Sequence, residues 1–352
     1  MKITTIGIDL AKSVFHVHGA DELGKPVLKK RLSRKKLLPF LANITPCLVG
    51  MEACGGAHFW AREIKKLGHD VRLMSPQFVK PYVKTNKNDF NDAEGICEAV
   101  GRANMRFVPI KSPAQQDLQA VHRIRAQLVK SRTAQGNQIR GLLAEYGIVI
   151  PKGLGRLRAE LPWILEDAEN ALSMMARRFI ADLAVRLSEL DDRIAQYDKE
   201  IQRAFKQNDA ARRIEQVEGV GPLVATAIVG AVGDAKEFKN GRQLSAWLGL
   251  VPKQHSTGGK TVLLGISKRG DTYIRTLLIH GARSVVSYVD RKEKDDPRSR
   301  WLRQLKARHG TNAAAVALAN KNARIIWALL TKGETGRCQG TCRLNESSKL
   351  LS

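Results

Sequence analysis

Four carboxylates stand out by where they fall. Asp9 closes the apolar run TIGIDL, Glu52 closes PCLVGME, and Asp89 and Asp92 sit three apart in KNDFNDAE. A carboxylate that directly follows an apolar strand is costly to desolvate, and a bound cation removes that cost. Two aspartates at i and i+3 share one helix face. Gathered in one place, four such side chains supply the oxygen donors that one or two hard divalent cations want, Mg²⁺ first among them. A pair of cations about 4 Å apart clamps the attacking and leaving oxygens of a phosphodiester. Taken singly, each residue has a plainer use: Asp9 as a strand-end turn former, Glu52 as the partner of a Lys or Arg, and Asp89 or Asp92 as a helix N-cap. Glu94 and Glu98 lie a turn or more further along the same helix, in a supporting or solvent-facing position.

A second constellation is KQHSTGGKT, residues 253 to 261. The hydroxyls of Ser256 and Thr257 precede Gly258 and Gly259 and are flanked by Lys253, His255 and Lys260. Two glycines permit close backbone approach, and Lys268, Arg269 and Arg275 add positive charge nearby. In isolation this reads as a surface turn or a phosphate cradle. The GxxxxGK[ST] spacing is missing, which excludes a nucleotide P-loop.

The elements that must position the carboxylates follow from periodicity. KITTIGIDL, SVFHVHGA and PVLKKRL read as three short strands separated by turn residues that include Asp21, Gly24 and Pro26. Ser33 can N-cap a helix with Leu37, Leu38 and Leu41 on one face, and PCLVGME follows as a buried strand. A helix from about Gly56 to Leu67, the strand HDVRLMSP and a further helical stretch complete the order βββαβαβα. That is the order of a ribonuclease-H-like (RuvC-like) α/β domain, in which the fourth strand lies beside the first. Asp9 and Glu52 then meet at one sheet edge, and the helix bearing Asp89 and Asp92 can turn toward it.

Beyond this domain the chain changes character. Residues 113 to about 146 form a long helix entered through Pro113. One side carries His122, Arg123, Arg125, Lys130, Arg132 and Arg140, a basic face suited to phosphate contact and therefore to salt-dependent binding. Leu118, Val121, Ile124, Leu128, Leu142 and Leu143 form its packing side. Next, Ala176, Ile180, Leu183, Leu187, Leu190, Ile194, Tyr197 and Ile201 recur at alternating spacings of four and three, a heptad seam. This coiled-coil segment is expected to pair two chains rather than to pack within one. VEGVGPLVATAIV then places Gly219 and Gly221 around Val220 between two helices. This is a helix-hairpin-helix pattern whose turn amides can face a nucleic-acid phosphate.

Composition agrees with such partners. The chain has 352 residues, is 43% hydrophobic, and carries a formal net charge of +25 with a pI near 10.1. It can bury sizeable cores, and a field of that sign collects polyanions. No apolar run reaches the roughly 18 residues of a membrane-spanning helix, and MKITTIGIDLAK is too polar for a signal peptide, so an intracellular protein is expected. Cys47, Cys54, Cys97, Cys338 and Cys342 are odd in number, with no CxxC pair, and point to neither a disulfide framework nor structural zinc. The expected division is a metal-binding catalytic domain over 1–112, the basic helix and coiled coil over 113–206, a mainly α-helical domain over 207–332, and a disordered tail over 333–352.

TIGIDLAK, VGMEACGG, KNDFNDAE, the glycine hairpin, QHSTGGK and GISKRGD, in that order over about residues 1 to 330, resemble the DEDD-type insertion-sequence transposases, the bridge-RNA-guided serine recombinases with a RuvC-like domain. The resemblance implies that Asp9, Glu52, Asp89 and Asp92 bind Mg²⁺ and that Ser256, in a C-terminal transposase domain, attacks the DNA phosphodiester. At the next position serine is also frequent in the family, and here it is Thr257. It further implies a homo-oligomer, dimer to tetramer, that assembles on a structured noncoding RNA. That RNA pairs with donor and target DNA in the cytoplasm of a bacterial or archaeal cell, at the nucleoid. Nucleic-acid contacts are expected at Arg123, Arg125, Lys130, Arg132, Gly219, Gly221, Lys253, Lys260, Lys268 and Arg269. Two other enzyme classes share parts of the pattern. A RuvC-like junction endonuclease uses the same carboxylates to direct water and needs no Ser256. An actin-like sugar kinase shares GIDLAK but requires a second phosphate loop and an adenosine motif, neither of which is found. A non-catalytic nucleic-acid binder would tolerate the loss of Asp9.

Overall fold

Alternation in TIGIDL sets up the first domain. Ile6 and Ile8 are fully buried on one face of the first strand, which leaves Thr5, Gly7 and Asp9 on the other. The computed structural model describes residues 2–84, 88–291 and 296–332. The tail over 333–352, with Cys338 and Cys342, lies outside the described residues, as do 85–87 of the KTNKND stretch. The chain divides into two compact units, Met1–Gln116 with Val232–Asp234, and Asp117–Ala231 with Ala235–Ser352.

In the first unit β1 (Thr5–Leu10), β2 (Val14–Ala20) and β3 (Pro26–Ser33) form the expected antiparallel meander. After α1 (Leu37–Ala42), β4 (Leu48–Glu52) pairs parallel to β1; after α2 (Ala57–Lys66), β5 (Asp70–Met74) pairs parallel to β4. Two helices, α3 (Pro76–Val79) and α4 (Asp89–Val100), precede a short β6 (Phe107–Val108) that runs antiparallel to β5. The spatial order is β3-β2-β1-β4-β5-β6. The series βββαβαβα is present, and β6 adds an edge strand that two residues of pattern do not announce.

Each sheet face has its own helices. Leu37, Leu41, Trp60, Ala61 and Ile64 of α1 and α2 bury against Ile6, Ile8, Val49 and Met51. Fully burying one such side chain contributes about 1.5–3 kcal/mol. Opposite them, α4 lies on β1, β2 and β4. Two glycines make this possible. A Cβ at Gly7 would stand 2.2 Å from the Ala93 carbonyl oxygen and 2.4 Å from the Cys97 nitrogen, and one at Gly50, the register partner of Gly7, would stand 2.7 Å from Val100 Cβ. The helix backbone therefore rests directly on the strand backbone at Gly7, and the Val100 side chain fills the space above Gly50. Cys47 and Cys97 are buried in this unit, and burial pushes both thiols up to about 11, so they are inert packing groups.

The second unit opens with α5 (Pro113–Ala144), which crosses the boundary, followed by α6 (Leu154–Glu166), α7 (Met174–Lys206), α8 (Asp209–Glu215), α9 (Pro222–Val232) and α10 (Gly241–Trp247). A two-stranded ribbon of β7 (Pro252–Thr257) and β8 (Lys260–Ile266) leads to α11 (Thr272–Tyr288) and α12 (Pro297–Lys332), the last broken at Gly310 with φ 79°. Among the described residues no helix is long and apolar enough to cross a membrane.

Two expectations for this unit are corrected. The heptad seam on α7 is covered within the chain: Ala176, Ile180 and Leu187 bury with Ile139 and Leu143 of α5 and with Leu157 and Leu161 of α6. Seven-residue periodicity marks an apolar stripe but does not say which helix covers it, and the nearby α5 and α6 do. The basic face of α5 is also partly occupied. Arg125 Nε donates to Asp198 at 2.5 Å, and Asp191 accepts from both Arg132 (3.0 Å) and Arg158, so two of the predicted phosphate contacts hold α5 against the acidic side of α7, where Arg158 also ties α6. On the packing side Ile124 stays 41% exposed.

The glycine floor yields a direct test. Gly7→Ala should lower unfolding stability by about 1–3 kcal/mol through overpacking and weaken divalent-cation binding, because α4 would have to move. Gly101→Ala, where nothing lies within 4 Å of the added methyl, should change neither; urea denaturation with a cation titration reads both.

Candidate active site

The acidic edge is built from strand ends and one helix start. Asp9 is the next-to-last residue of β1 and Glu52 the last of β4, each two residues beyond a floor glycine on the same face. At α4 the cap is Asn88, whose side chain accepts from the Phe90 amide at 2.9 Å. Neither aspartate is needed for capping, and Asp89 and Asp92 stand in the first turn, where the helix dipole favours negative charge.

The structure brings the four carboxylates to one edge but not into one equal cluster. Donor atoms of Asp9, His16 and Asp89 all lie within 4.8 Å of one another. Glu52 and Asp92 stand outside that tight set, yet their charges are felt: burial, with Asp9 and then Asp92 adding to it, holds the Glu52 carboxyl above the usual carboxylate range. The Cys54 thiol is pushed up by burial and by the same Glu52 and Asp9 charges. Glu98 takes no part, since it pairs with Lys84 at 2.8 Å and Arg102 at 2.6 Å, which draws its carboxyl below the usual range; Glu94 is exposed.

His16 is the site residue that sequence reasoning missed. It sits directly across the antiparallel pair from Asp9, is only 8% exposed, and its Nδ1 stands 3.5 Å from Asp89 Oδ2. In SVFHVHGA its only sequence signal is a histidine in a buried strand, and its value comes from the pairing register. Converging oxygen donors, negative charge acting on Glu52, and a buried imidazole nitrogen without a hydrogen-bond partner among the described residues fit a divalent cation.

The KQHSTGGKT stretch is a β-hairpin rather than an irregular loop. Thr257 pairs with Lys260, and Gly258 and Gly259 turn the chain with φ of 55° and 78°. Two successive positive φ values define the tight turn that follows strand twist, and only glycine adopts both without strain. Every residue of β7 is exposed, as are Val262, Leu263 and Leu264 on β8. Ser256 Oγ accepts from Gln254 Nε2 at 2.7 Å. Lys253 and Lys260 on the ribbon are exposed, as are Lys268 and Arg269 beyond its base. Arg275, by contrast, is buried, and it donates to the carbonyls of Leu248 (3.1 Å) and Arg269 (3.0 Å), tying the GISKRGD turn to the end of α10.

The other predicted contacts divide in the same way. Arg123 and Lys130 are exposed and line a cavity of about 290 Å³ with Tyr273 and Asp271. His122 is instead buried between Thr226 (3.0 Å) and Tyr273 (3.1 Å), and burial lowers its pKa to about 4, which keeps it neutral. Gly219 meets α11 backbone to backbone, since a Cβ there would lie 2.8 Å from the Gly281 carbonyl oxygen, and the Val220 amide bonds to Val217 at 2.9 Å. That corner is explained by packing; Gly221 alone remains exposed and open.

Comparison with known proteins bears on this geometry. A transposase family model of the DEDD, IS110 type matches residues 6–148, the stretch that holds all four carboxylates and His16. A second, described as the transposase IS116/IS110/IS902 family, matches residues 211–296, which include Ser256. A probable family 20 transposase of Pseudomonas aeruginosa is 50% identical over 94% of this chain and 98% of its own length. The transposase for insertion sequence element IS1111A of Coxiella burnetii is 49% identical over 96% of this chain and 92% of its own. That for IS1328 of Yersinia enterocolitica is 42% identical over 94% and 98%.

The charge crowding at Glu52 makes a prediction. Glu52→Gln removes one of the mutually repelling charges while keeping the shape, so the metal-free protein should gain about 2 °C or more in thermal midpoint and lose most of its stabilisation by added Mg²⁺. Differential scanning fluorimetry with and without Mg²⁺ checks both; unchanged Mg²⁺ stabilisation would remove Glu52 from the site.

Proposed function

The chain belongs to the IS116/IS110/IS902 transposase family, enzymes that cut and rejoin DNA for an insertion sequence, and on this premise we propose that Asp9, Glu52, Asp89 and Asp92 hold Mg²⁺ while Ser256 attacks the DNA. The observation that carries the metal half is the acidic edge itself, with its converging donors and the strain of like charge at Glu52. Bound there, Mg²⁺ would polarise the phosphodiester and neutralise charge that develops on its oxygens.

The serine half rests on the hairpin. Ser256 is exposed and accepts a short bond from Gln254, its one hydrogen bond among the described residues, so its hydroxyl is presented rather than consumed by packing. Attack by Ser256 Oγ on phosphorus forms a serine phosphoester to the 5′ side and breaks the bond to the 3′ oxygen. The serine proton leaves as the 3′ oxygen gains one. Attack by the 3′-hydroxyl of an exchanged strand reverses these steps and frees the serine. The number of phosphoester bonds is conserved, so no nucleotide triphosphate is required. Lys253, Lys260, Lys268 and Arg269 would hold the phosphate backbone.

The further partners extend this reading. A structured noncoding RNA would choose the donor and target sequences by base pairing, which suits a +25 chain, and its backbone contacts are assigned to the exposed Arg123 and Lys130. A dimer or tetramer would bring the hairpin of one chain to the acidic edge of another.

A second reading has its own support, because the acidic edge is complete within the first unit without Ser256. In it the metal site directs water or a DNA hydroxyl and no covalent adduct forms. Denaturing gels of the protein incubated with element-end DNA and Mg²⁺ separate the two. Ser256→Ala should abolish both strand cleavage and the slow-migrating protein–DNA adduct, and Asp9→Asn should do the same. Cleavage by Ser256→Ala at the wild-type rate would transfer the chemistry to the second reading.

A further inference from the structure

The four-carboxylate proposal assigns His16 no part in holding the cation, although its ring lies within the donor cluster. Asp9 stands opposite it in the strand register, the Phe90 ring of α4 meets it edge-on at 4.6 Å, and the Lys29 ammonium lies 4.9 Å from the centre of the Phe90 ring. Directly opposed residues on an antiparallel pair have Cβ atoms about 4.5–5.5 Å apart and project from the same face, so the imidazole and the Asp9 carboxylate share one pocket. The other cross-strand neighbour, Arg31, is exposed.

The nitrogen that faces the carboxylates is the unusual atom. Nδ1 is buried and has no hydrogen-bond partner among the described residues, although Asp89 Oδ2 is only 3.5 Å away. A buried polar atom left unsatisfied costs about 1–3 kcal/mol, and at this distance from a carboxylate a modest turn of either side chain would make the bond. If Nδ1 instead presents its lone pair, it points at oxygens that are also electron-rich, an arrangement that a cation between them makes favourable. The lone pair, Asp9 and Asp89 supply three donors that converge within 4.8 Å.

We infer that His16 Nδ1 is a nitrogen ligand of the divalent-cation site, which makes that site a mixed oxygen–nitrogen centre and raises its preference for Mn²⁺ over Mg²⁺. The inference rests on the metal reading of the acidic edge and adds a ligand to it. Mg²⁺ is a hard cation that takes oxygen donors almost alone, whereas first-row transition cations accept imidazole readily.

The probe is Mn²⁺ itself, bound to the full chain without nucleic acid and read by pulsed electron paramagnetic resonance. Wild-type protein should show ¹⁴N modulation from a directly bound imidazole, and labelling histidine with ¹⁵N should change it. His16→Gln should erase the modulation and lower the Mn²⁺ to Mg²⁺ affinity ratio roughly tenfold, the scale on which metal-site residues act. His18→Gln, whose imidazole lies in the field of Glu94 and Lys29, should leave both unchanged. Absence of nitrogen modulation in the wild type overturns the inference even if the His16 variant fails to fold, and so does modulation that survives His16→Gln. Asp9→Asn tests the underlying site separately: a Mn²⁺ signal of undiminished affinity in that variant would overturn the metal reading whatever His16 does.

Discussion

The acidic edge depends on a contact that contains no charge at all. At Gly7 and its register partner Gly50 the sheet has no side chains on the α4 side, and the helix backbone descends until Ala93 and Cys97 occupy the space a methyl would need. Each glycine within a strand costs about 0.5–1 kcal/mol relative to alanine, so the pair is tolerated for what it permits. It sets the height of α4 above β1, and that height decides whether Asp89 and Asp92 reach Asp9 and Glu52. The carboxylates follow the glycines by two residues on each strand, so floor and site are in one register.

With the helix placed, electrostatics takes over. The protein carries a large positive excess, and many of its acids are used as partners: Asp191 and Asp198 on α7 take Arg132, Arg158 and Arg125, and Glu98 takes Lys84 and Arg102. At the sheet edge the pattern reverses. Negative groups are set beside one another, and the Glu52 carboxyl is held up by its burial and by its neighbours' charge. Like charges gathered against their own repulsion, in a chain rich in available cations, mark a place shaped for a ligand of opposite sign.

The hairpin bearing Ser256 follows a different logic. It is exposed along β7 and much of β8 and is anchored at its base, where Gly249 and Gly270 allow close backbone approach and Arg275 binds two carbonyls. An anchored base with an exposed tip suits the role proposed for Ser256. The tight Gly258–Gly259 turn adds stiffness that an irregular loop of the same composition would lack.

What the sequence by itself determined is what depends on local order: strand and helix periods, the βββαβαβα series, the four carboxylates at strand and helix ends, and the +25 charge. These are legible because apolar spacing and element ends are properties of neighbouring residues. Only the tertiary structure decided the rest. The place of His16 opposite Asp9 depends on the strand register, a pairing that no short stretch encodes. The heptad seam on α7 specifies an apolar stripe and not its cover, and Arg125 and Arg132 look like free surface charge until α7 brings Asp198 and Asp191 beside them. In each case the deciding partner is remote in sequence, and long-range contact is the one quantity that local spacing does not carry.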